Sequence, residues 1–366
     1  MVNNYDVAVV GAGVFGAWTA YVLRREGARV LLLDAYGPGN SRASSGGESR
    51  IIRLGYGPDE IYTRSAQRSL VLWRELCESL FHQTGVLWMA REQDAYCEAM
   101  LAVFERDGIG HEKLDREELG HRFPQLDFAG VRWGILETGA GVMLARRAVQ
   151  AVVAQAVAIG VEYRQEAVSP PPETRIKADR FVFACGPWLK KIFPELLSEL
   201  IYVTKQEVFF FGVPAGDNQY GPGALPAWVD FNDLVYGLPN LEGRGFKLAI
   251  DEHGPEFDPD TGERVVSETG LTAARSYLAR RMPQLAGAPV METRVCQYEN
   301  TSNGDFLIDR HPEFENVWIV GGGSGHGFKH GPAVGEYVAA MVSGKGTAEP
   351  RFSLATKQRV QSRQVY

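Results

Sequence analysis

The sequence is poor in the features that define several common classes of protein. Its 366 residues include only four cysteines, widely spaced and without a CxxC pair, so we expect neither a disulfide framework nor a metal site. The formal net charge is -7 and no basic run occurs, which argues against nucleic-acid binding. No apolar run approaches the roughly 20 residues that span a bilayer, so we expect no membrane partner.

Fixed-period repeats and low-complexity tracts are also missing. An apolar strand is predicted from Tyr5, which leaves no room for a secretory signal, and we therefore expect a cytoplasmic protein. With 45% hydrophobic residues, the chain is long enough for two domains, or for one domain with another inserted in it.

Hydrophobic periodicity predicts a mixed α/β chain. Between about 81 and 140 we expect strands and turns, and over 165–178, which holds three consecutive prolines, a shortened hairpin. Strands are predicted at 5–10, 28–34, 85–89, 181–184, 203–213, 234–250 and 317–320, and helices over about 14–25, 58–80, 144–158 and 332–342.

A glycine loop, VAVVGAGVFG at 7–16, ends the first strand and opens the first helix. Gly11 permits the tight turn, Gly13 lets the backbone approach a pyrophosphate, and Gly16 lets helix and strand pack closely. The pyrophosphate lies on the helix N-terminus, where free N–H groups favour negative charge. Asp34 ends the second strand, where its carboxylate accepts ribose hydroxyls and repels a 2′-phosphate. The same site is expected to include Val14, Phe15 and Ala35.

The loop alone does not distinguish FAD from NAD, and a plain βαβ unit without a ligand is the alternative. Because nucleotide-type strands occur at the start, middle and end of the chain, we predict a discontinuous cofactor domain. Its segments are 1–80, 141–205 and 300–366, and 81–140 and 206–299 form the substrate domain.

Four further stretches decide between the cofactors: SSGGESRIIRLGYG (44–57), YGLPNLEGRGFKLAID (236–251), VCQY (295–298) and SGHGFKHGPAVGE (324–336). With the loop, the chain resembles the monomeric sarcosine oxidase family of FAD-dependent amine oxidases, whose relatives include N-methyltryptophan and fructosyl-amino-acid oxidases. The resemblance runs from residue 5 to about 345, thinly over 90–130 and 160–180. It implies a DAO-like oxidoreductase fold, in which a Rossmann-like FAD domain of glutathione-reductase type is joined to a β-sheet substrate domain.

The resemblance implies a covalent flavin. In the family, the cysteine at the position of Cys296 carries the 8α-methyl carbon through a thioether, and Arg294, nearby in sequence, could activate the thiol. A buried structural cysteine is the alternative, and the hairpin at 165–178 is expected to cover the adenine. The remaining residues expected at the cofactor are Ser44, Arg50, Gly186, Trp188, Gly323, Gly325, His326, Gly327, Phe328 and Lys329.

Substrate binding is also implied residue by residue. The family pattern implies that Arg53 and Lys329 bind the substrate carboxylate. An arginine can bind a carboxylate through two parallel hydrogen bonds. Arg50 lies beside the flavin ring. The alternative is a pair of surface arginines bound to Glu48 or Glu60.

Lys247 matches the lysine that activates oxygen next to the flavin, where a cation stabilises developing superoxide charge. An outward-facing strand lysine is the alternative. Tyr236 and Tyr298 match aromatic residues of the substrate pocket, with core packing as their alternative.

One position departs from the pattern. Sarcosine and N-methyltryptophan oxidases carry a histidine four residues after the lysine, where this sequence has Asp251, and His253 follows two residues later. A carboxylate there stabilises an ammonium or orients a more polar substrate, and it shifts the pH optimum because hydride loss needs a neutral amine.

The resemblance predicts an FAD-dependent oxidase of secondary amines or N-substituted amino acids. A hydride equivalent passes from the carbon next to nitrogen to flavin N5, the imine hydrolyses, and O2 becomes H2O2. Fructosyl-amino-acid or cyclic imino acid oxidation is one alternative, and a flavin dehydrogenase with a quinone or protein acceptor, or a non-catalytic flavoprotein, is another. We expect a monomer whose partners are a small amine and O2.

Overall fold

The computed structural model describes residues 5–362, arranged as three β-sheets with helices packed against them. Within that range, no helix has the length and apolar character needed to cross a membrane. The strands are β1 (Tyr5–Val10), β2 (Val30–Leu33), β3 (Arg50–Ile52), β4 (Phe81–His82), β5 (Val86–Ala90), β6 (His111–Asp115), β7 (Trp133–Glu137), β8 (Gly141–Met143), β9 (Glu162–Arg164), β10 (Ala178–Phe183), β11 (Ile201–Phe211), β12 (Ala227–Asp230), β13 (Val235–Leu238), β14 (Phe246–Ile250), β15 (Val290–Thr301), β16 (Leu307–Arg310) and β17 (Val317–Gly321).

The helices cover the sheets and connect them. They are α1 (Val14–Arg25), α2 (Glu60–Cys77), α3 (Ala95–Asp107), α4 (Arg116–Arg122), α5 (Ala145–Ala158), α6 (Leu189–Ile192), α7 (Pro194–Leu197), α8 (Glu268–Arg281) and α9 (Gly331–Val342).

The first sheet has the order β16-β17-β10-β1-β2-β9 and is parallel except for β16. Strand β2 is a continuous apolar run, and β1 and β10 become apolar and buried toward their carboxyl ends, as expected where helices cover both faces. Helix α1 packs against α9 through glycine, since a Cβ on Gly335 would lie 2.7 Å from Cβ of Trp18. This close packing brings the N-termini of both helices to the carboxyl ends of the strands.

The second sheet has the order β15-β11-β14-β13-β12-β5-β7-β6 and is antiparallel except for the β12–β5 pair. Strands β11 and β15 pair along their length, which sets Cys296 opposite Gln206. A third sheet has the order β3-β8-β4. In the sequence, its strands lie between the segments that form the other two sheets. The first sheet draws on residues 5–33, 162–183 and 307–321, the second on 86–137 and 201–301. The domain boundaries stay a prediction.

Most predicted elements are confirmed, including the helices at 14–25, 144–158 and 332–342. The prediction of only strands and turns over 81–140 is wrong, because α3 and α4 lie there. Asp94 caps α3 by accepting from Cys97 N, and Gly108 ends it with φ 65°. The prediction of a hairpin over 165–178 is also wrong, since residues 165–177 contain no strand. Three consecutive prolines there have no N–H to donate to a ladder.

Candidate active site

The glycine loop between β1 and α1 has the predicted close contacts. Gly11 has φ 104°, and a Cβ on it would lie 2.3 Å from Ala184 O. A Cβ on Gly16 would lie 1.8 Å from Gly11 O. Both positions therefore require glycine, and the first turn of α1 has no acidic side chain to oppose an anion.

Asp34 joins the end of β2 to this loop. Its Oδ2 accepts from Ala12 N at 2.7 Å, and its Oδ1 accepts from Tyr36 N and Gly37 N, each at 2.8 Å. These three bonds fix the carboxylate at the wall of the cavity beside the loop. A carboxylate has about four lone-pair sites, so Asp34 retains capacity for a ligand hydroxyl.

A cavity of about 410 Å³ opens beside the loop and extends along the carboxyl ends of the first sheet. Three of the predicted cofactor residues do not line it: Gly16 lies in the helix behind the loop, and His326 and Lys329 line a second cavity. The predicted residues that do line it are Gly11, Gly13, Val14, Phe15, Asp34, Ala35, Ser44, Arg50, Gly186, Trp188, Cys296, Gly323, Gly325, Gly327 and Phe328.

Glu299, which the sequence analysis did not single out, also lines this cavity. It is 6% exposed, and burial raises its pKa to about 8, although N–H groups of Gly322 and Gly323 bond to it. Its Oε1 lacks a hydrogen-bond partner among residues 5–362. A buried acceptor of this kind fits a ligand that brings hydroxyl groups into the cavity, as a dinucleotide does. Strand alternation points Glu299 away from the face of Cys296 and Tyr298, which is why the motif did not reveal it.

A second cavity of about 90 Å³ adjoins the first. The two cavities share five lining residues: Arg50, Cys296, Tyr298, Gly325 and Phe328. The second cavity brings together all of the predicted catalytic and substrate residues, namely Arg50, Arg53, Tyr236, Lys247, Asp251, Tyr298 and Lys329. The two cavities together thus have room for a cofactor with a small molecule beside it.

Cys296 lies at the junction, with its thiol beside a guanidinium. Nη2 of Arg50 is 3.3 Å from Sγ and also donates to Ser44 O at 2.7 Å. Arg294, the cation suggested by the sequence, instead forms salt bridges with Glu48 and Glu292, each at 2.6 Å. The cation that contacts the thiol is therefore Arg50.

Arg53 and Lys329 are buried, and neither forms a salt bridge among the described residues. The Arg53 guanidinium lies 4.3 Å from the ring centroid of Tyr56 and 5.0 Å from that of Trp88. Burial lowers the pKa of Lys329 well below its usual value, and the charge of Arg53 lowers it further. The alternative of surface arginines paired with Glu48 or Glu60 is wrong, since those carboxylates bind other arginines.

Lys247 projects into the same cavity from β14. Its Nζ donates to Ser49 O at 2.8 Å, and burial lowers its pKa well below the usual value, with the charge of Arg50 acting in the same direction. The alternative of an outward-facing lysine is therefore wrong.

Asp251 faces the cavity, whereas His253 does not line it. Its Oδ1 accepts a 2.5 Å hydrogen bond from the Tyr298 hydroxyl. Burial raises the pKa of Asp251, while the bond from Tyr298 lowers it. Tyr236 lies beside Tyr298, and burial raises the pKa of its phenol above the usual range.

Residues 6–341 match the family model described as DAO, FAD dependent oxidoreductase. The chain belongs to this family. A monomeric sarcosine oxidase of Bacillus sp. (strain NS-129) is 30% identical over 98% of this chain and 98% of its own length. An N-methyl-L-tryptophan oxidase of Salmonella heidelberg (strain SL476) is 28% identical over 96% of this chain and 97% of its own.

Among solved structures, a modified fructosyl peptide oxidase from Aspergillus nidulans aligns with a TM-score of 0.84 and 17% identity, covering 100% of this chain and 97% of its own. The resemblance proposed from the motifs and the predicted fold class are thus confirmed. The protein is an FAD-dependent oxidoreductase.

Proposed function

We propose that this protein oxidises the carbon–nitrogen bond of a secondary amine that carries a carboxylate, an N-substituted amino acid, and passes the electrons to O2. The observation that supports this most strongly is the buried pair Arg53 and Lys329, which line the second cavity without a carboxylate partner among residues 5–362. Buried cations without a direct ion pair are costly, and Glu137 and Asp251 act on this pair electrostatically without forming a salt bridge to it among residues 5–362. A carboxylate of the substrate supplies the direct partner, and its two oxygens suit a guanidinium.

Two features of the cofactor cavity suit FAD. The α1 N-terminus suits a pyrophosphate and the unpaired Oε1 of Glu299 suits a hydroxyl. FAD supplies the two-electron acceptor for the amine. We further propose that Cys296 holds it through a thioether, supported by the contact of Sγ with Arg50. Such a bond would replace the thiol proton and one hydrogen of the flavin methyl group, and O2 would accept the two electrons released.

The protein side chains then bind the substrate and move its proton. Arg53 and Lys329 hold the carboxylate, which directs the amine toward Asp251. A secondary amine is an ammonium at neutral pH, and it must lose a proton before hydride loss. Oδ2 of Asp251 takes that proton, since Oδ1 is bound by Tyr298.

Lys247 is proposed to act in the reaction with O2 and not on the amine. Its Nζ, bound to Ser49 O, lies in a recess that also contains Cys296 and Arg50. A cation there stabilises negative charge that develops on oxygen. Substrate binding and the reaction with O2 therefore use different cations of the same site.

The test is an amine panel with oxygen uptake and peroxide measured together: sarcosine, N-methylated bulky amino acids, pipecolate, fructosyl-glycine and, as a carboxylate-free analogue, dimethylamine. We expect one peroxide per oxygen consumed, with amino acids strongly preferred. An Arg53→Met variant should lose that preference, while Arg68→Met, which alters an exposed ion pair with Glu336, should keep it. Amine-dependent flavin reduction without oxygen uptake would contradict the oxidase assignment.

A further inference from the structure

The phenol oxygen of Tyr56 is surrounded by nitrogen atoms, one of which is Nζ of Lys329. Nζ of Lys329 lies 3.0 Å away, Nε2 of His330 2.6 Å and Nδ1 of His326 3.1 Å. His330 Nδ1 in turn lies 3.0 Å from Ser65 Oγ. Tyr56 lines neither cavity, so it acts on a ligand through neighbours that line the second one, of which Lys329 contacts its hydroxyl and Arg53 its ring.

The hydrogen bonds of this cluster have one consistent direction. His326 Nε2 is 3.1 Å from Gly304 O, which only accepts, so Nε2 carries the proton. Burial lowers the pKa of His326 well below its usual value, so the ring is neutral and Nδ1 accepts. The single phenol proton of Tyr56 is therefore donated to His326.

The rest of the cluster follows from that assignment. With its proton committed to His326, the Tyr56 oxygen can only accept from His330 Nε2 and from Lys329 Nζ. His330 Nδ1 then accepts from the Ser65 hydroxyl. Each lone pair and proton on the phenol oxygen is used, with one bond donated and two accepted.

We propose that Tyr56 is a positioning residue for Lys329: its oxygen, oriented by the two histidines, holds Nζ so that a remaining N–H points to an anionic ligand in the second cavity. The inference rests on the proposed function, in which that ligand is the substrate carboxylate. His326 O, 3.0 Å from Nζ, is the other acceptor, and Trp73 Nε1 anchors the Lys329 backbone at 3.0 Å.

The cluster also affects the charge of Lys329. A buried ammonium needs acceptors for its protons, and the Tyr56 oxygen is one of two that residues 5–362 provide. A bound carboxylate adds a third and favours the ammonium, so binding is coupled to proton uptake. The other charged or titratable groups that face Lys329 are Arg50, Arg53, Glu137, Asp251, His326 and His330.

The experiment uses the FAD-loaded enzyme and acetate as the probe, followed through the flavin absorbance. Tyr56→Phe removes the acceptor, and we expect acetate to bind about 10-fold more weakly, as for the loss of one hydrogen bond to a charged group. The KM for the amino acid should rise similarly, with kcat changed much less. The upper pH limit of acetate binding should move to lower pH, because Nζ without this acceptor loses its proton more easily.

Tyr62→Phe is the matched control. Tyr62 is also buried, and its ring centroid lies 5.2 Å from that of Tyr56, but its hydroxyl donates to Asp305 at 2.8 Å. If Tyr62→Phe weakens acetate binding as much as Tyr56→Phe does, the effect is general loss of packing and the inference is wrong. Ser65→Ala removes the far end of the chain, and we expect a smaller loss in the same direction.

The outcomes separate the inference from the function on which it rests. Acetate binding by the wild type that Tyr56→Phe retains, with an unchanged pH limit, overturns the inference alone. Failure of the wild type to bind acetate or any carboxylate substrate overturns the proposed function, and the inference with it. The melting temperature of each variant shows whether it is folded, and Ser65→Ala carries the test if Tyr56→Phe is not.

Discussion

The hydroxyl of Tyr298 donates a 2.5 Å hydrogen bond to Oδ1 of Asp251 at the wall of the substrate cavity. This bond has two consequences. It orients the carboxylate so that Oδ2 remains for the amine, and it opposes the rise in the pKa of Asp251 that burial causes. The pH dependence of turnover should therefore respond to both residues.

Asp251→Asn keeps the shape of the side chain but removes the proton acceptor. We expect kcat/KM at neutral pH to fall about 100-fold, at the low end of the contribution of a general base. The loss should shrink toward about pH 10, where an aliphatic amine is neutral without help. The measurement is kcat/KM against pH, with peroxide as the readout.

Tyr298→Phe tests the hydrogen bond that Tyr298 donates to Asp251. Without the hydroxyl the pKa of Asp251 rises further, so the acid side of the pH profile should move to higher pH. For the first variant, Asp251→Asn, an unchanged dependence of kcat/KM on pH would show that the substrate loses its proton elsewhere, for instance before it binds.

The cofactor link is tested by a pair of cysteines in one cavity. Cys296 and Cys185 both line the cofactor cavity, but Cys185 Sγ lies 3.3 Å from Val10 O and only Cys296 contacts Arg50. Acid-precipitated wild type should remain yellow. Cys296→Ser should release its flavin to the supernatant, while Cys185→Ser should retain it. Colour in the wild-type supernatant contradicts the thioether.

The sequence predicted the local parts of this site well, because their geometry is local. Gly11, Gly16 and Asp34 lie in one βαβ unit, where a turn, a close packing and a strand end each require a particular residue. The α3 helix was missed although Cys97, Met100 and Phe104 recur at helical spacing, since the surrounding segments are strands.

The parts that escaped prediction depend on distant pairings. Tyr56 meets His326 and His330 only because α2 and α9 pack together around the loop that follows β17. Glu299 lines the cofactor cavity beside the distant turn at 322–323, whose N–H groups bond to its carboxyl. No periodicity within one segment encodes such contacts, and a single sequence offers no other signal for them.

Glu299 makes stability depend on pH. Burial raises its pKa from 4.5 to about 8, so the folded protein holds a proton there that the unfolded chain releases. The stabilisation is complete below the unfolded pKa, declines as pH rises and is lost through about pH 8. We expect the free energy of unfolding to fall across this window in the wild type, and less steeply in Glu299→Gln, which keeps a neutral side chain. Urea unfolding at several pH values measures the difference.

The cofactor should reduce this slope. A hydroxyl that donates to Oε1 favours the ionised carboxylate and lowers its pKa, so FAD-loaded wild type should lose less stability with rising pH than FAD-free protein from riboflavin-limited cells. Glu315→Gln, an exposed position, is the control and should follow the wild type in both forms. Equal slopes for wild type and Glu299→Gln in both forms would show that this carboxyl does not titrate in the window, because the residue then contributes no difference in bound protons between folded and unfolded states.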